Sequence, residues 1–121
     1  VQKELSKLLA IGTSICGITA ILVSSTILKS KDQDVAVATL IVVLWGSLAV
    51  ITYPFYVEIL FSTDIAKGIF LGVSIHDTSQ VIAAAMVHND LHPNQKTLEI
   101  ATITKIIISP GFRFPYLCII R

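Results

Sequence analysis

The sequence predicts an all-α, polytopic transmembrane helical protein, present as a fragment with two discontinuous membrane helices. Hydrophobic residues make up 54% of the 121 residues and charged residues only 14%, whereas soluble domains carry about 25% charged residues. Residues 8–28 and 35–57 contain no Asp, Glu, Lys or Arg. At about 1.5 Å rise per residue, each run is long enough to cross a hydrocarbon core of about 30 Å. Polar clusters inside two apolar segments predict the discontinuities.

Charge spacing sets the boundaries of the segments. Spans are predicted at residues 8–28, 35–57 and 65–87, with a partial fourth from residue 98 and an atypical tail at 106–121. Pro54 lacks an amide proton, so we expect it to kink or end the second span. The chain is interpreted as a single membrane segment of a larger transporter-like domain.

The third span contains a polar stretch, "IHDTSQ" at residues 75–80, where a helix start signal stands between two apolar runs. Asp77 is a plausible N-cap, and Gln80, three residues later, could reach back to close a capping box. Within a bilayer a helix is interrupted only where protein or water satisfies its backbone. The pattern predicts two half-helices, the first of them capped by Asp64.

The first span has a similar feature in "GTSICG" at residues 12–17. Ser14 is the predicted N-cap of its second half. Gly12 and Gly17 permit non-helical turns or close backbone approach. Two interruptions are therefore predicted, one in each segment.

Interrupted helices of this kind offer a site for an anion. A half-helix N-terminus presents free amides and about half a positive charge, and transporters commonly bind substrate at such breaks near the membrane midplane. The predicted substrate-binding residues are Thr13, Ser14, Cys16, Gly17, Thr78, Ser79 and Gln80. His76 and Asp77 are costly at that depth unless they pair, cap or titrate. They are the candidates for proton coupling.

Several alternatives stay open at this point. The third segment could fail to cross the bilayer, leaving "IHDTSQ" in a loop between two short helices. "GIFLG" at residues 68–72 is a GxxxG pattern, which favours close helix packing. A non-transporting membrane interaction subunit, with its polar residues as interhelical glue, is the second function class, and a soluble bundle is the third.

Other chemistry is less well supported. His88 and His92 stand four apart, a spacing that could bind zinc on a helix, but Pro93 and Asn94 predict a loop. Cys16, His76 and Asp77 are residue types of a cysteine hydrolase, yet no elbow motif accompanies them. We expect no enzyme activity, no metal and no cofactor. The absence of a basic stripe argues against nucleic acid.

The quoted motifs also resemble a known family. "GTSICGITAI" (residues 12–21), "DVAVATLIVVLWGSLAVITYP" (34–54) and "IHDTSQVIAAA" (75–85) resemble multi-pass bacterial inner-membrane proteins classed as sulfate exporters. The resemblance covers about residues 8–105 and implies discontinuous helices around a central site for a small anion. The residues that carry over are Ser14, Ile15, Cys16, Gly17, His76, Asp77, Gln80 and Val81.

Membership would place the chain in the bacterial inner membrane, with the lipid bilayer and a small sulfate-like anion as partners. Ser79 departs from the alanine expected there, and "SPGFRFPYLCIIR" after residue 108 departs from the family pattern. The sequence leaves a homo-oligomer open. It also leaves orientation open, because three lysines fall on each side if every span crosses: Lys3, Lys7 and Lys67 against Lys29, Lys31 and Lys96.

Overall fold

The computed structural model describes residues 2–93 and 95–111, and these residues form six α-helices. The helices are α1 (Gln2–Ser14), α2 (Ile18–Leu28), α3 (Asp32–Leu60), α4 (Asp64–Ser74), α5 (Thr78–Leu91) and α6 (Gln95–Gly111). No strand occurs within these two described ranges. The predicted all-α fold with two interruptions is confirmed.

The long helix α3 organises the chain. Its 29 residues correspond to about 44 Å of helix, and among the described residues it is the one helix long and apolar enough to cross a membrane. Pro54 is fully buried inside it. Because α3 continues to Leu60, Pro54 does not end the helix.

The first two helices pack against the N-terminal half of α3. Leu8 of α1 and Ile21 of α2 join Ala38 and Val42 of α3 in one buried cluster. Gly12 also backs directly onto the Ile21 side chain. Helices α1 and α2 therefore lie side by side, and we call this pair the first hairpin.

Helices α4 and α5 occupy the C-terminal half of α3. Lys67, near the start of α4, donates to Glu58 Oε2 at 2.7 Å, and His88 Nε2, near the end of α5, lies 3.0 Å from the same oxygen. Both outer ends therefore sit at one end of α3. We call this pair the second hairpin, since α5 turns back instead of continuing in the direction of α4.

This geometry differs from a rod that crosses the bilayer with a break at its midpoint. It matches the alternative in which "IHDTSQ" joins two short helices. A polar break shows that a helix stops and another starts, but tertiary contacts decide the direction of the second helix. Here Lys67 near the start of α4 and His88 near the end of α5 both bind the Glu58 carboxylate, which holds these two helix ends next to each other.

Helix α6 runs parallel to α4 in close contact with it. A Cβ at Gly68 would lie 2.9 Å from the Thr97 carbonyl oxygen, and a Cβ at Gly72 would lie 2.9 Å from that of Ala101. The "GIFLG" pattern therefore marks a helix-packing face, as predicted. A second buried cluster joins α3, α4, α5 and α6 through Val57, Leu71, Val81 and Ala101, among others.

The fourth apolar stretch is helical through Gly111, with Pro110 and Gly111 in its last turn. The rest of the predicted tail, residues 112–121, lies outside the described residues, and so do Val1 and Asn94.

Candidate functional site

The turn of the first hairpin depends on the glycine at its end. Residues 15–17 separate the helices, and Gly17 has φ 67° and ψ −119°. A positive φ combined with this ψ is readily adopted only by glycine. The Gly17 amide donates to the Gly12 carbonyl at 3.0 Å, and its own carbonyl accepts from the Ile21 amide. Cys16 is half-buried in this turn as a free thiol.

The N-cap predicted for α2 is wrong. Ser14 is the last residue of α1, and its hydroxyl donates back to the Ala10 carbonyl at 2.6 Å. Thr13 likewise donates to the Leu9 carbonyl at 2.8 Å. A hydroxyl in a last helical turn has its own carbonyls within reach, so local bonds compete with capping. Gly17 occupies the N-cap position and provides no side-chain cap.

The turn of the second hairpin is organised by a side chain. Asp77 is the N-cap of α5, as predicted, and its carboxylate accepts from the Ser79 amide at 3.2 Å and from the Ser79 hydroxyl. His76 and Thr78 are half-buried beside it. The cap of α4 is Thr63, not Asp64, which is the first helical residue.

The two turns meet. A Cβ at Gly17 would lie 3.4 Å from Asp77 Cβ and 3.6 Å from Asp77 Cα, and the same distance of 3.4 Å would separate it from Val42 Cγ1. Residues 60 apart in sequence therefore adjoin each other beside the middle of α3, close enough that one added methyl group would fill the space between them. The contact places Cys16 and Gly17 next to the start of α5.

The capping box predicted for Gln80 does not form. Its Nε2 donates instead to the Val43 carbonyl of α3 at 3.4 Å. The amide fits there because Gly46 has no side chain; a Cβ at that position would fall 1.8 Å from Gln80 Oε1. That oxygen is buried with no hydrogen-bond partner among the described residues.

Sequence reasoning missed one residue at this place, Lys105 of α6. Its side chain is buried, and its Nζ donates to the Ile75 carbonyl at 2.7 Å. His76, Asp77 and Cys16 all lie within electrostatic range of this ammonium group. A lysine inside the apolar run "ITKIII" was the available signal, because a charge in an apolar helix needs a partner.

Sequence reasoning also missed the polar cluster at the outer end of the second hairpin. Glu58 binds Lys67 and His88 there, and Lys67 lies 4.0 Å from Asp64. His88 is 1% exposed, and its ring stands 5.4 Å from that of His92. Within the described parts of the chain no group of three or more His, Cys, Asp or Glu could hold a metal ion.

The candidate residues thus divide into two sets. The turns bring together Cys16, Gly17, His76 and Asp77, with Thr78, Ser79 and Gln80 directly following. Thr13 and Ser14 belong to the last turn of α1, and their hydroxyl protons are engaged within that helix. The contacts of the described residues include no hydrogen bond between Cys16 and His76.

The comparisons with known proteins decide the family. A family model described as "Conserved hypothetical protein 698" matches residues 1–109. The chain belongs to this family, whose members are named UPF0324 membrane proteins. The match extends beyond residues 8–105, which the motifs alone had indicated.

Individual relatives agree. A UPF0324 membrane protein of Streptococcus pyogenes serotype M3 is 37% identical over 99 residues, covering 82% of this chain and 29% of the relative. One from Clostridium tetani is 31% identical over 114 residues, covering 94% of this chain and 33% of the relative. No solved structure gives a significant match. The chain spans about a third or less of the length of these relatives.

Membership makes this a membrane protein, and its surface is consistent with that. Large apolar side chains of α3 are exposed in the described structure: Leu40, Leu44, Trp45, Leu48, Ile51 and Phe55. A soluble domain rarely leaves such a run uncovered. Lipid or the remaining two-thirds of a full-length relative would cover it.

Proposed function

We propose that this chain contributes part of the substrate site of a membrane transporter that exports or exchanges a small inorganic or sulfur-containing anion, such as sulfate. The observation that carries the proposal is the close approach of the two helix interruptions at Gly17 and Asp77. Two interruptions that meet beside the middle of a membrane-length helix have a use in transport, because their free backbone groups can face a substrate.

The first hairpin supplies the open helix terminus. Gly17 offers no side-chain oxygen, so the first amides of α2 have no side-chain cap. An uncapped N-terminus presents amide donors and about half a positive charge. Such a terminus suits an anion that accepts several hydrogen bonds.

The second hairpin supplies the titratable groups. The carboxylate of Asp77 already binds the first turn of α5, while His76 is half-buried next to it. Histidine changes charge near neutral pH unless its surroundings prevent it. Protonation in this turn would offset the negative charge of an entering anion, so we propose proton coupling through His76 and Asp77.

The test is flux in proteoliposomes that contain the full-length protein. Counter-flow of labelled sulfate, sulfite and organic sulfonates should show uptake of at least one of them, with a rate that depends on the pH gradient. His76→Gln and Asp77→Asn should reduce that dependence. Flux that keeps its full dependence on the pH gradient in both variants would contradict proton coupling through these residues, and the absence of flux for every anion would contradict transport itself.

The alternative is a non-transporting membrane interaction subunit, and one contact favours it. The Gln80 amide bonds the Val43 carbonyl across two helices, which is how polar side chains hold membrane helices together. On this alternative Gln80→Leu would destabilise the protein, and no anion would move in the flux assay.

A further inference from the structure

Lys105 is a buried cation beside the meeting point of the two turns. Its side chain is 4% exposed, and it lies on α6 one turn after the buried Ala101. The one hydrogen-bond acceptor that the described residues give it is the Ile75 carbonyl, 2.7 Å from Nζ. A carbonyl near the C-terminal end of α4 carries partial negative charge, which favours an ammonium group there.

That single contact leaves the ammonium group incompletely satisfied. An ammonium group has three protons to donate, and a buried charge is costly unless it is paired and hydrogen-bonded. The nearest carboxylate in the turn, that of Asp77, binds Ser79 instead. No carboxylate among the described residues forms an ion pair with Lys105.

A second buried lysine, Lys67, has its positive charge balanced by nearby carboxylates. Lys67 is 6% exposed, close to the value for Lys105. It donates to Glu58 at 2.7 Å and lies 4.0 Å from Asp64. Among the described residues, one buried lysine is thus ion-paired with carboxylates, whereas the other, beside the predicted anion site, has a carboxylate in electrostatic range but forms no ion pair with it.

We infer that Lys105 is the cationic ligand of the transported anion. This inference rests on the proposed transport function and adds to it the residue that contributes a full positive charge. The ammonium group would use its remaining protons on the anion while the Ile75 carbonyl keeps it in place. A compact point charge of this kind suits a small oxyanion. The attraction should be greater for a dianion than for a monoanion, since it scales with charge.

The test measures anion affinity and flux for the full-length protein in liposomes, with sulfate as the dianion and methanesulfonate as the monoanion. Lys105→Gln keeps a donor for the Ile75 carbonyl but removes the charge. Lys105→Met removes both, and Lys105→Arg keeps the charge. Lys31→Met, at an exposed position beside the start of α3, is the control.

The expected result is a loss of sulfate affinity of roughly 10-fold to 100-fold in Lys105→Gln and Lys105→Met, the range typical of a hydrogen bond to a charged group. The loss should be smaller for methanesulfonate and smaller again in Lys105→Arg. Lys31→Met should bind like the wild type. If the Lys105→Met variant fails to fold, Lys105→Gln alone still tests the effect of removing the charge.

Two results would overturn the inference while leaving transport intact. One is wild-type sulfate affinity in Lys105→Gln. The other is an equal loss for both anions, which would indicate a structural role. Absence of anion flux in the wild type would instead overturn the proposed function. Ligand-induced thermal stabilisation provides a second readout, because it depends on affinity and not on the rate of transport.

Discussion

The two hairpins share a plan but are stabilised differently. Each consists of two helices joined by a three-residue turn, and each packs on a different half of α3. The first hairpin is held by apolar contacts, and its turn depends on the backbone of Gly17. The second hairpin adds the Glu58, Lys67 and His88 cluster, and its turn depends on the Asp77 side chain. The same helical hairpin is thus formed once through the backbone conformation of a glycine and once through a side-chain N-cap.

The direction of the second hairpin gives the largest expected effect, because labelling is all or none. Single cysteines replacing Ser62 and Asp90, both exposed, should react with a membrane-impermeant maleimide from the same side of the membrane. The experiment uses the full-length protein with Cys16 and Cys118 replaced by serine. If α4 and α5 instead crossed the bilayer as one interrupted rod, the two positions would react from opposite sides.

The same experiment tests orientation. With both hairpins folded back, four lysines lie at the N-terminal end of α3 and two at its C-terminal end: Lys3, Lys7, Lys29 and Lys31 against Lys67 and Lys96. Lysine excess marks the cytoplasmic side. A cysteine replacing Lys31 should therefore be protected from the reagent in intact cells.

The turn of the first hairpin should be the less tolerant of the two turns. Gly17→Ala forces a side chain into φ 67°, and such strain costs about 1–3 kcal/mol. We expect a comparable loss of unfolding free energy in detergent and a loss of flux in liposomes. His76→Ala, in a turn without positive φ, is the stability control. Wild-type stability in Gly17→Ala would show that the turn can be rebuilt without glycine.

Two glycines at corresponding places in the hairpins should respond unequally to alanine. In Gly72→Ala the new Cβ would lie 2.9 Å from the Ala101 carbonyl oxygen, so α4 and α6 must separate. Such overpacking costs about 1–3 kcal/mol. In Gly12→Ala the Cβ meets Cγ1 and Cδ1 of the buried Ile21 side chain at 2.7 Å, so a side chain and not a backbone carbonyl must shift.

Both glycines lie inside helices, so both variants gain about 1 kcal/mol of helix propensity, and the smaller packing cost should leave Gly12→Ala the less destabilised of the two. Thermal unfolding of both variants measures the difference. Equal destabilisation would mean that the first hairpin is packed as tightly as the contact between α4 and α6.

The smallest effect separates the two predicted caps. Asp77→Ala removes a side chain that accepts from the Ser79 amide, and loss of an N-cap costs about 1 kcal/mol. Ser14→Ala removes a hydroxyl that bonds its own helix, so its effect should be close to zero. Chemical denaturation of both variants measures their free energies of unfolding. A larger loss of stability in Ser14→Ala than in Asp77→Ala would indicate that Ser14 caps α2 after all.

Local signals in the sequence predicted much of this architecture. The uncharged run at residues 35–57 identified α3, and Asp77 identified the start of α5 because capping depends only on neighbouring residues. Gly17 was recognised as permissive, although its conformation was not. The contact between the turns followed from treating the two interruptions as one site.

The remaining features depend on partners distant in sequence. Glu58 bonds to Lys67 and His88, and Lys105 bonds to Ile75; the partners are separated by 9 to 30 residues in sequence. No local pattern specifies such pairs. Gln80 shows how a distant partner can replace a local one. Its spacing from Asp77 suits a capping box, but its side chain lies against Gly46 and bonds to the Val43 carbonyl of α3 instead.

The division of α3 between two separate buried clusters has a consequence for mutational coupling. Ala38 and Val42 serve one cluster, whereas Ala49 and Val57 serve the other. Distant sites without shared partners have additive effects, so paired substitutions such as Val42→Ala with Val57→Ala should sum, although both lie on a single helix. Non-additivity in double-mutant cycles should be largest for Gly17 paired with Asp77, because these two residues belong to different halves of the molecule and adjoin each other.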